Sequence, residues 1–299
     1  MHHRLAVAAL LASAFSLPAQ GLEWIVNGDF TGTLAPWVMG GGYSVNPGHE
    51  VGWDTTGMGP SDSFGCQPGG QVTPAPYPAN TLEQDLLIIQ GLTYEFRCDA
   101  SAARPNAPGS ANADAGTIWV EVDGVEIARF AFGGHTANRQ KRAQVVGRFT
   151  ATSTGTKTLR IFFARTFLTN TTTPRVNIDN VSLQDTSGPT YWVAGNRWLG
   201  ANVNHEVRGV PNALYATFAA LGTYPGGVPV AGVGGLWHLD FATSVTTAVG
   251  GLDANGAATM SRTIPNDPIF LSVPIYYQAA SVVGSQVDLS YPFGIVATQ

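Results

Sequence analysis

The sequence predicts an all-β protein of two β-sandwich domains, and three observations carry that expectation. From Gly21 onward helical periodicity is almost absent, and short runs rich in Val, Ile, Thr and aromatics alternate apolar with polar residues. Those runs are bounded by Gly, Pro and Asn clusters, in a chain of 299 residues holding 36 Gly and 19 Pro. A composition break at Gln184-Asp-Thr-Ser-Gly-Pro189 divides the chain, with no Lys beyond it.

Taken in order, the chain begins with a targeting signal. Arg4 precedes an apolar run from Leu5 to Leu17 that ends in Pro18-Ala19-Gln20, the pattern of a secretory signal peptide cleaved after Ala19. The competing reading is a buried N-terminal helix. The run is shorter than the ~20 apolar residues a spanning helix needs, and Gly, Pro and polar residues interrupt every later apolar run. The expected setting is therefore secreted or cell-surface, with no transmembrane segment. Residues 20–185 form the first sandwich, 186–190 a linker, and 191–299 a second, smaller sandwich.

Within the first sandwich, alternation separates two faces. Tyr94, Phe96 and Cys98 fall opposite Glu95 and Arg97; Ile118, Val120 and Val122 fall opposite Trp119 and Glu121; Leu159, Ile161 and Phe163 fall opposite Arg160 and Phe162. Asp123-Gly124 is a two-residue type I′ hairpin signal. The Pro-, Asn-, Gly- and Ala-rich stretch 102–115 reads as a long loop. Cys66 and Cys98 are the only cysteines. Export and a shared domain favour a disulfide between them, against the alternative of buried free thiols.

The order of motifs in this half resembles a known family. Val26-Asn-Gly-Asp-Phe30 with Pro36-Trp37, then Thr81-Leu-Glu-Gln84 and Gly91-Leu-Thr-Tyr-Glu-Phe96, and finally Val176-Asn-Ile-Asp-Asn-Val-Ser-Leu183 are similar to the galactose-binding-like jelly rolls of carbohydrate-binding modules of families 4, 9 and 22. The resemblance covers roughly residues 22–185 and implies a jelly roll that binds a polysaccharide or other glycan. The polar strand face, expected to carry Trp119, Arg97, Arg160, Glu121 and Arg175 together with Phe162 and Asn177, suits sugars, whose C–H faces stack on rings and whose hydroxyls need planar partners. The alternative is a solvated face, or one covered by a loop or by the second domain. The resemblance also implies a structural Ca2+ near Asp29 and Asp179, although Thr31 stands where an acidic residue is frequent; otherwise Asp179 and Asn180 only bond turn backbone.

Residues 191–299 resemble a small β-rich C-terminal module of secreted proteins in environmental bacteria, through Gly234-Gly-Leu-Trp-His-Leu-Asp240, Ile264-Pro-Asn-Asp-Pro268 and Ile275-Tyr-Tyr-Gln-Ala279. No activity attaches to that module. Asp253-Ala-Asn-Gly256 reads as a hairpin turn and not a calcium loop. Charge excludes a nucleic-acid partner: Lys and Arg total 15, with only Arg139, Lys141 and Arg142 clustered. Catalytic signatures are missing as well, with no nucleophile elbow, no HExxH and no metal spacing among His49, His135, His205 and His238. The sequence thus leads to an exported, non-catalytic carbohydrate-binding protein. Its rival is an extracellular surface or matrix protein that mediates adhesion or assembly with other surface proteins and has no glycan site.

Overall fold

Alternation along the strands decides how this chain buries its apolar side chains. A computed structural model describes residues 22–41, 45–68, 79–103, 113–135, 140–165, 174–195 and 197–298. The signal segment 1–19 and most of the stretch read as a long loop over 102–115 lie outside them. No helix among the described residues is long and apolar enough to cross a membrane.

The N-terminal half is a sandwich of two five-stranded antiparallel sheets. The first runs in the order Val38–Gly40, Asn80–Ile88, Gly155–Ala164, Thr117–Val122 and Val125–Ala131. The second runs Gln140–Thr150, Thr93–Ala103, Arg175–Asp185, Ser61–Gln67 and Val45–Trp53. Apart from two hairpin pairs, Val45–Trp53 with Ser61–Gln67 and Thr117–Val122 with Val125–Ala131, the chain crosses between the sheets, as from Asn80–Ile88 to Thr93–Ala103 and from Gln140–Thr150 to Gly155–Ala164 to Arg175–Asp185. Phe64, Phe96, Ile178 and Leu183 from one inner face meet Leu82, Ile118, Leu159 and Phe163 from the other in a single core. Between Thr117–Val122 and Val125–Ala131 the hairpin forms as expected, with Asp123 at φ 53° and Gly124 at φ 81°. Both positive values are what a type I′ turn requires.

The C-terminal half is a second, smaller β-sandwich. A three-stranded sheet (Thr190–Ala194, Asn202–Arg208, Ala257–Thr263) faces a six-stranded one built on Ile275–Val283 and Leu214–Ala220. Tyr191, Val203, Val207, Tyr215, Tyr277, Phe293 and Ile295 form its core. The residues 253–256 turn as expected: the Asp253 carboxylate accepts from Asn255 N and Ala257 N, each at 2.8 Å. The turn is not a hairpin, however. It joins Val245–Gly251 to Ala257–Thr263, which belong to different sheets.

The structure corrects the disulfide. Cys66 and Cys98 are buried free thiols. Cys66 opposes Val176, which on its other side opposes Ala102, so a whole strand separates the cysteines. Cys98 lies four residues further along. Two strand spacings and four residue rises place the Cα atoms about 16 Å apart, whereas a bridge needs less than about 7 Å. Burial pushes the Cys66 thiol up to about 12, and the Cys98 thiol also rises.

Candidate functional site

The residues expected to share one polar face occupy two. Trp119, Glu121, Arg160 and Phe162 lie on the outer face of the first sheet, Arg97, Arg175 and Asn177 on the outer face of the second. Because the sheets pack through their inner faces, these outer faces point in opposite directions, and one small glycan cannot touch both. Within the second sheet the two arginines also stand apart. Arg175 opposes Ala103, six residues along the strand from Arg97, or about 20 Å.

Trp119 is not an open stacking platform. It is 2% exposed, lies parallel to the Phe162 ring at 4.7 Å, and carries the Arg129 guanidinium 5.1 Å from its ring centroid. Its Nε1 donates to Glu121 Oε1 at 3.1 Å. Register explains the stack, since Arg129, Trp119 and Phe162 sit directly opposite one another on three neighbouring strands. One row down, Arg160 pairs with Glu83 at 3.0 Å and keeps a side chain 44% exposed.

The outer face of the second sheet is a polar carpet. Arg175 pairs with Glu50 at 2.5 Å, and Asn177 Nδ2 donates to Glu50 and, at 3.1 Å, to Ser63 Oγ. Trp53 Nε1 donates to Ser101 Oγ at 2.9 Å. Over the strands Thr93–Ala103 and Gln140–Thr150 the C-terminal half rests on this carpet. Arg97 Nη2 donates to Tyr191 O at 2.7 Å, Arg148 Nη1 to Gly188 O at 2.8 Å, and Tyr291 Oη to Asp185 O at 3.0 Å. Arg197, among the largest fully buried side chains, lies close enough to Asp99 for their charges to interact. Burial still raises the Asp99 carboxyl above its ordinary value, Arg197 acting against that rise.

Where the two halves diverge, a cleft of about 550 Å³ opens. Its floor is the second sheet: Glu95, Arg97, Asp99, Gln144, Asn180 and Ser182. Its wall is the C-terminal half, chiefly Tyr276, Tyr291 and Phe293. The Arg97 fork is held in place by Glu95 at Nε, by Tyr191 O at Nη2, and by the Phe293 ring 5.4 Å from its Cζ. Three polar atoms on the floor are buried without a hydrogen-bond partner: Glu95 Oε2, Arg97 Nη1 and Gln144 Oε1. Such atoms cost about 1–3 kcal/mol each when left unpaired, so three side by side mark a place where stability is conceded. The Tyr276 hydroxyl likewise has no protein partner among the described residues.

The calcium expectation can be set against the donors present. Asp179 is buried, accepting from Ser61 Oγ at 2.5 Å and Asn180 N at 2.6 Å. Burial lifts its carboxyl to about 6. Asp29 is exposed and accepts from its own turn, Thr31 N at 3.3 Å. Among the described residues no three His, Cys, Asp or Glu side chains are grouped as a metal would need. The side chains named for calcium are thus occupied by protein donors, and they do not supply the oxygen-rich cage the ion takes.

Of the residues expected to bind ligand, only Arg97 lines the cleft. Alternation separates Glu95 correctly from the core face, but it does not single out Gln144, Tyr276, Tyr291 or Phe293. Of these only Tyr276 lies in the Ile275-Tyr-Tyr-Gln-Ala279 motif, and no sequence signal says that it meets a strand some 180 residues earlier.

No family model matches the chain, and no curated protein matches it. Solved structures give distant likenesses. An arabinose-bound α-L-arabinofuranosidase is 13% identical over 56% of this chain and 27% of its own, with a TM-score of 0.38. The N-terminal CBM22 tandem domain of a Paenibacillus barcinonensis protein is 12% identical over 95% of this chain and 98% of its own, with a TM-score of 0.34. The adhesin domain of Epf from Streptococcus pyogenes is 11% identical over 84% of this chain and 79% of its own, with a TM-score of 0.28. The chain spans 27% of the length of that arabinofuranosidase and 26% of a Bacteroides uniformis beta-glucuronidase.

Proposed function

We propose that this chain is an exported, non-catalytic carbohydrate-binding protein whose glycan lies in the cleft between the two sandwiches. The observation that carries this reading is the trio of unpartnered polar atoms on Glu95, Arg97 and Gln144, set beneath the Tyr276 and Phe293 rings. A sugar ring has apolar C–H faces and an equator of hydroxyls, each both donor and acceptor. The rings take the faces, Glu95 Oε2 and Gln144 Oε1 accept from hydroxyls, and Arg97 Nη1 donates to one. Arg97 is already fixed by Glu95 and Tyr191 O, so little ordering is lost on binding. Binding without hydrolysis fits the carboxylates of the cleft. Glu95 and Asp99 stand four residues apart on one strand, and Glu23 joins them in the lining; Glu23 is already bonded to Ser182 Oγ and Gln184 Nε2, which suits a binding carboxylate.

The rival reading, a surface or matrix protein with no glycan site, draws on the burial of Trp119 and on the interface that closes half of the polar sheet. A glycan array and polysaccharide retention assay on the mature chain separates the two. The cleft reading expects retention on at least one polysaccharide class. A mature, folded chain that binds no glycan at millimolar concentration would leave the structural reading in place.

A further inference from the structure

A second opening, unrelated to the cleft, lies inside the C-terminal sandwich. It measures about 370 Å³ and sits between the strand pair Asn202–Arg208 and Ala257–Thr263 on one side and Leu214–Ala220 and Ile275–Val283 on the other. Sandwich interiors are close-packed, with few voids larger than a water, whereas this volume falls within the ~300–1,000 Å³ range of small-molecule sites. Its wall is aliphatic, including Val203, Met260, Ile264, Ile275 and Ile295.

A few polar groups converge at one side of that wall. Tyr191 Oη and His205 Nδ1 are 2.7 Å apart, and Thr217 Oγ1 and Thr247 Oγ1 are 2.8 Å apart. His205 Nε2 has no protein partner among the described residues. Burial, with Arg262 adding to it, lowers the imidazole to about 4, so it is neutral at pH 7. One full charge therefore remains at the pocket. It belongs to Arg262, which is exposed at the rim and steadied by Thr247 O at 3.0 Å. No acidic side chain is among the described residues of the lining.

We propose that this pocket binds a small anionic amphiphile, with its apolar body against the aliphatic wall and its carboxylate at Arg262. At about 30 Å³ per water-sized group the space holds roughly a dozen non-hydrogen atoms. The lone cation selects an anion over an amine, and the neutral hydroxyl and imidazole groups offer hydrogen bonds without a competing charge.

Decanoate, with its chain of ten carbons, is a probe of that size, and decanol is its uncharged counterpart. Titration calorimetry on the full mature chain, below the concentration at which decanoate forms micelles, should show one saturable site. Decanoate should bind at least ten-fold more tightly than decanol. Arg262→Gln, an exposed change that leaves folding intact, should remove that preference while leaving decanol binding unchanged. Ala219→Leu, which adds volume inside the pocket, should weaken both ligands. No saturable binding of either ligand would overturn the assignment, and so would equal affinity for acid and alcohol, or a preference that survives Arg262→Gln. The glycan titration is untouched by any of these outcomes, because the cleft shares no lining residue with this pocket.

Discussion

Replacing Trp119 by Ala tests whether its face of the first sheet is core or platform. The indole is 2% exposed, stacked on Phe162 at 4.7 Å, covered by Arg129, and hydrogen-bonded to Glu121. Truncating a buried aromatic to Ala costs about 3–5 kcal/mol. The offset stack and the cation–π contact account for about 0.5–1.5 and 0.5–1 kcal/mol within that. The expected loss is therefore about 4 kcal/mol. At about 2–4 °C per kcal/mol for a chain of this size, Tm falls by about 8–16 °C. Urea unfolding followed by circular dichroism measures the loss directly, and Phe162→Ala should give a comparable, non-additive effect. A Trp119→Ala protein within about 1 kcal/mol of wild type would refute the burial argument and return Trp119 to the surface.

Thiol titration of denatured, unreduced protein should find two free sulfhydryls, and the native protein should react slowly because both thiols are buried and raised; a single bridge and no thiol would refute the register. His205 is depressed from 6.5 to about 4, so the unfolded chain binds more protons between those values. Its contribution is present above pH 6.5 and is lost as pH falls toward 4, about 3 kcal/mol in all; Asp179, raised to about 6, acts with the opposite sign across the same range, so the measurement is the difference between wild type and His205→Gln, whose urea midpoints should converge as pH falls toward 4. Arg197→Ala removes a fully buried guanidinium whose charge counters the rise of the half-buried Asp99 carboxyl. It should lower stability in urea unfolding and raise the Asp99 carboxyl further, with Arg197→Ala/Asp99→Asn recovering part of the loss.

Side-chain alternation was enough to sort core from outer face: Tyr94, Phe96, Ile118, Leu159 and Phe163 are all in the core. It could not say which sheet a strand joins. Period-2 patterning is the same on either sheet, so it groups Trp119 with Arg97 although they face opposite ways. The cysteines show the same limit, since Cys98 does face the core but a strand from residues 175–185 intervenes. The Asp123-Gly124 turn was legible because its geometry is local. The cleft was not, because its floor and the Tyr276–Phe293 wall meet only through tertiary packing, and the buried orphan atoms have no sequence signature.

The most direct test of the cleft is a calorimetric titration with the glycan best retained on the array, comparing variants from the two opposite faces. Tyr276→Ala and Gln144→Leu, in the cleft, should each weaken binding at least ten-fold. Arg160→Gln, on the outer face of the first sheet, should leave affinity unchanged. Affinity lost in Arg160→Gln and kept in Tyr276→Ala would contradict the account and move the site to the other sheet.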